Sequence, residues 1–312
     1  MKTVYDHIAY NNVKIFLLTL LFPLTLCLLF WAMIQLVFMG DEEGLAEGMA
    51  FFRTWMPFVI GGAMVWMGIS LFFGDDIMLS LARAKPISQT SQLDEKKIFN
   101  AVENTAIRAG LPTPKVFIIE DDSLNAFATG YSPRTASVAL TRGIVKKLTP
   151  LELEAVIGHE MAHIGNRDVR LNTLIITGLS VLGILGDVFI RMNSSNRNSK
   201  NNSGGLLILL GFTLIIFNAL IAPLIQLAIS RTMEYNADAT SALITRDPES
   251  LISALKKISA DPRVEVLDEY KQMAVACISD PGKKSMSFFD DMFSTHPTTR
   301  KRIERLRAMS GK

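Results

Sequence analysis

The stretch His159-Glu160-Met161-Ala162-His163 combines residue types and spacing that could hold a metal and activate water. Residues four apart on a helix share one face, so the two histidines can present ring nitrogens to a single cation. The glutamate then lies beside the metal, where it can take a proton from a bound water. The stretch predicts a hydrolytic metal site, and the alternative is an ordinary pair of helix histidines.

A third ligand must come from elsewhere, because a catalytic zinc site takes three protein ligands and leaves the fourth position to water. The best candidate is Glu234, five residues after the last apolar run ends. Asp238 shares its helical face and can accept a hydrogen bond from a histidine N–H. Arg231 could orient the same cluster. The alternative is a charged helix beside the membrane with local ion pairs. Two histidines and a carboxylate suit Zn²⁺ well.

The neighbouring elements predict a small mixed domain around this stretch. Thr149-Pro150-Leu151-Glu152 has the form of a capping box with proline at the first helical position, which marks where the metal-binding helix begins. Helical spacing of apolar residues predicts a helix over residues 91–110. Runs rich in β-branched residues predict strands over 115–120 and 137–141. Helical spacing returns at 248–259 and 298–309.

Several residues are predicted to bind substrate or stabilise the reaction. We interpret residues 137–141 as an edge strand that pairs with an extended peptide backbone. The substrate cleft is then predicted to be lined by Asn125, Ala126, Val138 and Ala139. His296 and Arg231 are the candidates for donating to the oxyanion beside the metal. The alternative for His296 is that it caps a helix or packs against its neighbours instead of donating to the oxyanion.

Four apolar runs predict transmembrane helices in two hairpins. The first, over 15–39, holds 25 residues without a charge, and the others cover 55–73, 171–190 and 206–229. The chain then divides into an anchor (1–80), two parts of a catalytic domain (81–170 and 230–312) and a membrane hairpin (171–229). The loop at 191–203 is basic and should resist translocation, so the second hairpin could instead lie in the membrane interface; we favour spanning.

Composition excludes some classes of partner and cofactor. Among 312 residues, 32 are basic and 30 acidic, so the net charge of +2 makes no case for nucleic acid. Cys27 and Cys277 suggest neither a disulfide framework nor a thiolate metal site. The basic residues of the last helix, Arg302 among them, are interpreted as a solvated face, with contact to anionic membrane lipid as the alternative.

The order of four motifs resembles the HtpX family of membrane-bound zinc metalloproteases. These motifs are His159-Glu-Met-Ala-His163, Glu234-Tyr-Asn-Ala-Asp238, Asn125-Ala-Phe-Ala-Thr-Gly130 and Thr295-His296-Pro297 before a basic helix. The resemblance covers nearly the whole chain. It implies that His159, His163 and Glu234 bind Zn²⁺ and that Glu160 is the catalytic base.

We therefore predict an α+β membrane protein with a mainly helical, zincin-like catalytic domain, a small sheet and four transmembrane helices. The resemblance implies an endopeptidase of the bacterial inner membrane that acts on misfolded or damaged membrane proteins. The bias of basic residues toward the side of Lys2, Lys14, Arg83 and Lys85 places the catalytic domain in the cytoplasm. The alternatives are a prenyl-protein processing protease and a non-enzymatic membrane scaffold with structural zinc.

Overall fold

The computed structural model describes residues 4–37, 42–90, 93–195, 203–228, 231–260, 278 and 297–309. Two long helices come first, followed by a small sheet with helices packed around it, and an apolar helical pair interrupts the second half. In chain order the elements are α1 Val4–Val37, α2 Glu42–Leu81, β1 Lys85–Ile87, α3 Leu93–Ala109, β2 Lys115–Ile119, β3 Ala126–Thr129, β4 Ser137–Thr141, α4 Arg142–Lys147, α5 Pro150–Gly165, α6 Asp168–Ser195, α7 Ser203–Ala228, α8 Arg231–Thr245, α9 Pro248–Ala260 and α10 Thr299–Met309.

The sheet has four strands in the order β1-β2-β4-β3. Strands β2 and β4 run parallel, whereas β1 and β3 flank them in antiparallel pairing. The prediction of a mainly helical fold with a small mixed sheet is confirmed. The prediction that residues 137–141 form an edge strand is wrong, because β4 lies between β2 and β3. The edge strands are β1 and β3, and the sequence pattern did not reveal β3 as a strand.

Helix α5, which carries the two histidines, begins at the predicted capping box. The Thr149 hydroxyl accepts from the backbone N–H of Glu152, and the Glu152 carboxylate accepts from the backbone N–H of Thr149. Glu152 also accepts from Ser253 and Lys257 of α9, each at 2.7 Å. Burial alone would raise the pKa of Glu152, but these donors outweigh it and lower the pKa to about 2. A charged carboxylate therefore joins α5 to α9.

Helix α5 is buried because other elements pack on several of its faces. It contacts α3, α8, α9 and β3. The apolar side chains Val156, Ile157, Met161 and Ile164 are fully buried in the main core beside residues of β2 and β4. Burying a side chain of this size contributes roughly 1.5–3 kcal/mol. This packing holds α5 rigidly under the sheet.

A glycine lets α8 approach α5 closely, just before the first histidine. A Cβ on Gly158 would lie 3.0 Å from the Ser241 Oγ of α8. The Ser241 hydroxyl donates to the Ala155 carbonyl at 2.6 Å, so a side chain meets the α5 backbone directly. Close packing of these two helices brings the carboxylates of α8 to the histidines of α5.

By length and composition, two stretches of the described chain are long and apolar enough to cross a membrane: Glu43–Leu81 and Asp168–Arg191. The other two predicted spans fall on helices α1 and α7, in which the apolar stretches Pro23–Ala32 and Ile208–Leu220 are shorter. Helices α6 and α7 pack together, as do α1 and α2. Two hairpins of helices are therefore present, and the number of four spans stays a prediction.

Candidate metal centre

Three side chains from two helices converge on one point. The Nε2 atoms of His159 and His163 are 3.2 Å apart. Glu234 of α8 brings Oε2 to 3.7 Å from His159 Nε2 and Oε1 to 3.4 Å from His163 Nε2. All three side chains are buried, with 1%, 8% and 4% of their residues' surface exposed. The structure thus brings together the three residues predicted as metal ligands.

Each histidine is oriented by a carboxylate on its far side. Asp238 Oδ1 lies 3.0 Å from His159 Nδ1, and Asp168 Oδ2 lies 3.0 Å from His163 Nδ1. An ionised carboxylate can only accept, so both Nδ1 atoms carry the proton and donate. In the neutral rings both Nε2 atoms then present lone pairs inward. Two lone pairs and a carboxylate that face one point form a site for a cation.

The spacing of the three donors fits zinc. Ligand atoms at about 2.0–2.1 Å from a tetrahedral ion lie about 3.4 Å from one another. The separations of 3.2, 3.4 and 3.7 Å bracket that value. Two imidazoles and a carboxylate are also a donor set of catalytic zinc sites, which leave the fourth position to water. His159, His163 and Glu234 could therefore hold Zn²⁺ without a large rearrangement.

The two histidines differ in their affinity for protons. Burial lowers the pKa of His159. Burial acts in the same direction on His163, but hydrogen bonds and charges from Asp168 and Glu234 outweigh it and raise its pKa well above the usual range. A proton on Nε2 occupies the position through which this ring would bind a metal, so protons and metal compete at His163.

Glu160 lies beside these ligands and is held by the edge strand. It is 2% exposed, and the backbone N–H of Ala128 in β3 donates to its carboxylate. Burial, with the negative charge of Glu234 added, raises the pKa of Glu160 to about 7. A bound dication would favour the ionised form and oppose this shift. The carboxylate is therefore positioned to exchange a proton near neutral pH.

Arg302 of α10 belongs to this site, which corrects the interpretation of its helix as a solvated face. It is 2% exposed. Its guanidinium donates to both oxygens of Asp238, from Nε at 2.8 Å and from Nη2 at 2.6 Å. Nη1 donates to the Ile278 carbonyl at 2.8 Å and lies 3.5 Å from Glu234 Oε2. In the sequence, the spacing of four residues from the apolar Leu306 was the available indication that Arg302 is buried, because the two share a helical face.

Replacing Arg302 by leucine is expected to lower zinc affinity about 10- to 100-fold, because Asp238 loses the fork that orients it toward His159. Loss of one partner from a buried ion pair should also cost about 3–5 kcal/mol of stability. Zinc competition with a chelator and thermal unfolding in detergent measure the two effects. Arg300→Leu is the matched control, because the Arg300 side chain is 86% exposed. Equal behaviour of the two variants would contradict this role of Arg302.

The four residues predicted to line the cleft lie in two different strands of the sheet or next to them. Val138 and Ala139 are fully buried in the inner strand β4, so they belong to the core and not to a cleft. Asn125 and Ala126 lie at the start of the edge strand. The backbone N–H of Ile278 is shared between the Ala126 carbonyl at 3.1 Å and the Asn125 Oδ1 at 3.2 Å. That part of the edge of β3 is therefore paired with the chain itself.

The described structure does not test the two predicted oxyanion donors. Arg231 is half-buried at the first position of α8, one turn before Glu234. Arg302 is an arginine that contacts the ligand cluster. His296 lies outside the described residues. The role of each as a donor stays a prediction.

Asp168 was missed by reasoning from the sequence, although it contacts a predicted ligand. It is 1% exposed and begins α6 five residues after His163. A short acidic side chain at the start of a helix has a common explanation in helix capping and the helix dipole, which conceals other roles. Its closeness to His163 in the sequence was the available signal.

Comparison with known proteins places the chain in a family. The model of Peptidase family M48 matches residues 92–310, which contain both helices of the site. The chain is 36% identical over 308 residues to "Protease HtpX homolog" of Bacteroides fragilis, with 94% of each protein covered. A protein of the same name from Tropheryma whipplei is 37% identical over 312 residues, with 98% of each covered.

Among solved structures, the chain is similar to "Crystal Structure of S. mikatae Ste24p", with a TM-score of 0.45 and 19% sequence identity. That similarity covers 94% of this chain and 67% of the other. The resemblance to the HtpX family is confirmed by the relatives of that name. On the extent of the family match and the identity to these relatives, the chain belongs to peptidase family M48.

Proposed function

We propose that this chain is an integral-membrane, zinc-dependent endopeptidase that cleaves misfolded or damaged membrane proteins. The observation that carries the proposal is the convergence of His159, His163 and Glu234 next to a buried Glu160. A structural metal site has no use for a further carboxylate beside its open position, whereas a hydrolytic site requires one as base. Membership of a peptidase family supports a peptide bond as the target.

The chain's own residues would divide the chemistry as follows. His159, His163 and Glu234 would hold the zinc ion, which would supply Lewis-acid chemistry toward water and the peptide carbonyl. Glu160 accepts one proton from the attacking water and later delivers it to the nitrogen of the leaving amine. Asp168 and Asp238 hold the imidazoles in the tautomer that the metal requires. Arg302 keeps Asp238 in place and balances its charge.

The position of the site supports a substrate that comes from the membrane. Only Asn166 and Arg167 separate α5 from α6, whose candidate spanning stretch begins at Asp168. The apolar run starts at Leu171, only eight residues after His163, which keeps the site close to the bilayer surface. Strand β3 lies at an edge of the sheet and close to Glu160, and beyond the part paired with Ile278 it is the element to which an extended peptide could add.

We further propose that both hairpins span the bacterial inner membrane, with residues 81–170 and 230–312 forming one cytoplasmic protease domain in contact with membrane lipids. The charge-free first run and the basic residues on one side of the early hairpin support this orientation. Residues 196–202 of the loop between α6 and α7 lie outside the described residues.

Spanning by the second hairpin predicts that a cysteine at Asn198 is reached only from outside the cytoplasm. Cys27 and Cys277 are first replaced by alanine, and a membrane-impermeant maleimide is applied to spheroplasts and to inverted vesicles. Labelling is expected in spheroplasts. Leu151→Cys is the control for the opposite side, because Leu151 is 61% exposed on the protease domain. Labelling of both positions only in inverted vesicles would refute spanning.

The proposed function is tested with the full chain in vesicles that also contain one membrane protein in either a folded or an unfolded state. We expect internal cleavage of the unfolded form, dependence on zinc and little cleavage of the folded form. Cleavage confined to prenylated peptides would favour the prenyl-protein alternative. Bound zinc without cleavage of any of these substrates would favour a scaffold.

A further inference from the structure

A membrane helix reaches into the metal centre through a buried amide. Asn11 of α1 is 2% exposed, and its Nδ2 donates to Asp168 Oδ1 at 2.7 Å. The other oxygen of Asp168, Oδ2, lies 3.0 Å from His163 Nδ1. The two contacts form a continuous path from the first helix to a metal-binding ring. No motif in the sequence joins residues this far apart.

The chemistry of this path is fixed by its donors and acceptors. A carboxylate only accepts, so the amide nitrogen of Asn11 must face Asp168 and the imidazole must donate from Nδ1. With Oδ1 held by the amide, the carboxylate cannot turn away from the ring without leaving a buried donor unpaired. Asp168 is therefore kept in the orientation that directs the Nε2 lone pair of His163 toward the cluster.

Packing around Asn11 holds the amide in place. Ile15, one turn further along α1, shares its face and belongs to the same buried apolar cluster as Leu171, Leu174 and Ile175 of α6, and the two helices are in contact. Lys14 adds an attractive charge interaction with Asp168. Helix α1 is thus docked on the first turns of α6, where Asp168 lies, and its role extends beyond that of an anchor.

We propose that Asn11 is a positioning residue of the metal centre, which makes the first helix a part of the site. The inference rests on the proposed zinc site and extends it by one residue from outside the region matched by the family. Removing the amide lets Asp168 rotate, which weakens the preference of His163 for the metal-binding tautomer. Partners bonded directly to a metal-binding residue typically change metal affinity about 10- to 100-fold, and Asn11 lies one hydrogen bond further out, so its effect should fall near the lower end of that range.

The test compares Asn11→Leu with Asn12→Leu in the purified full chain in detergent. Leucine is close to asparagine in size, and Asn12 is exposed on the same helix, so the pair isolates the buried amide. Zinc affinity is measured by competition with a chromogenic chelator, which does not depend on protease activity. We expect about a 10-fold loss for Asn11→Leu and no change for Asn12→Leu. Equal zinc affinity in the two variants would overturn the inference.

A second comparison separates positioning from a general effect on folding. In an Asp168→Ala background the amide has no carboxylate to hold, so Asn11→Leu should cause no further loss of zinc affinity. A loss of the same size in both backgrounds would show that Asn11 acts by another route and overturn the inference. Asn11→Ala also removes the donor, without adding bulk or charge beside Asp168, and should weaken zinc binding as Asn11→Leu does.

These outcomes are distinguishable from failure of the proposed function. A wild-type chain that binds no zinc would overturn both the proposed function and this inference. A wild-type chain that binds zinc, with unchanged affinity in Asn11→Leu and Asn11→Ala, would overturn this inference alone. If Asn11→Leu does not yield a monodisperse protein, Asn11→Ala decides, because it removes the same donor and its expected loss of zinc affinity is the same.

Discussion

Replacing Glu160 by glutamine is expected to lower the rate of peptide cleavage by about 10²- to 10⁴-fold while zinc stays bound. Glutamine has almost the same shape but cannot accept the proton of the attacking water. The zinc ligands His159, His163 and Glu234 are untouched, so metal content should equal that of the wild type. Cleavage of an unfolded membrane substrate and zinc content are measured on the same preparation.

Glu152→Gln is the matched control for this substitution. Glu152 is a buried glutamate of the same helix, 5% exposed, but its partners are Thr149, Ser253 and Lys257. The control variant should unfold at a lower temperature and cleave at a near-normal rate while folded. Full activity of Glu160→Gln would rule out Glu160 as the base. Loss of zinc together with activity would assign it a different role.

Replacing Glu234 by alanine is expected to release zinc, with a fall in affinity of more than about 100-fold. Loss of a ligand should exceed the 10- to 100-fold effect of an outer partner. In the wild type the Glu234 carboxylate oxygens lie 3.7 and 3.4 Å from the Nε2 atoms of the two histidines. Alanine would leave this ligand position empty. Metal analysis after dialysis against a weak chelator measures the loss, and activity should disappear with the metal.

Glu249→Ala makes the same chemical change at an exposed position of α9 and should retain zinc. If Glu234→Ala still binds one zinc per chain tightly, the third ligand is a different group. Asp238 would then be the first alternative, since it is the other buried carboxylate of α8 close to His159.

The parts of the site that the sequence predicted are those governed by local geometry. His159 and His163 are one helical turn apart, and Glu234 and Asp238 repeat that spacing on a second helix, so each pair has to share a face. The capping box at Thr149 was equally local and was confirmed. Such features depend on a few consecutive residues and on the period of the helix.

The parts that the sequence did not predict depend on contacts between distant residues. Asn11 lies 157 positions from Asp168, and Arg302 lies 64 from Asp238. Each of them had a common local explanation, as a polar residue before a membrane run or as a cation on a basic helix. Only the packing of α1 on α6, and of α10 on α8, gives them partners.

The error about the edge strand has a related cause. Residues 137–141 have the composition of a strand, but composition does not reveal the order of strands in a sheet. The short run Ala126–Thr129 has little β-branched character, and it becomes a strand by pairing with β4. Its place at the edge brings the Ala128 N–H to Glu160, so this misassigned segment bears directly on the site.

The most direct test of the central claim is a zinc titration of the metal-free full chain in detergent, with cleavage of an unfolded membrane substrate as the readout. Activity is predicted to be absent at first, to rise with added zinc and to level off at one zinc per chain. In the Glu160→Gln variant the same titration should show one bound zinc without the rise in activity. Cleavage by the metal-free chain, or activity that does not respond to zinc, would contradict the account.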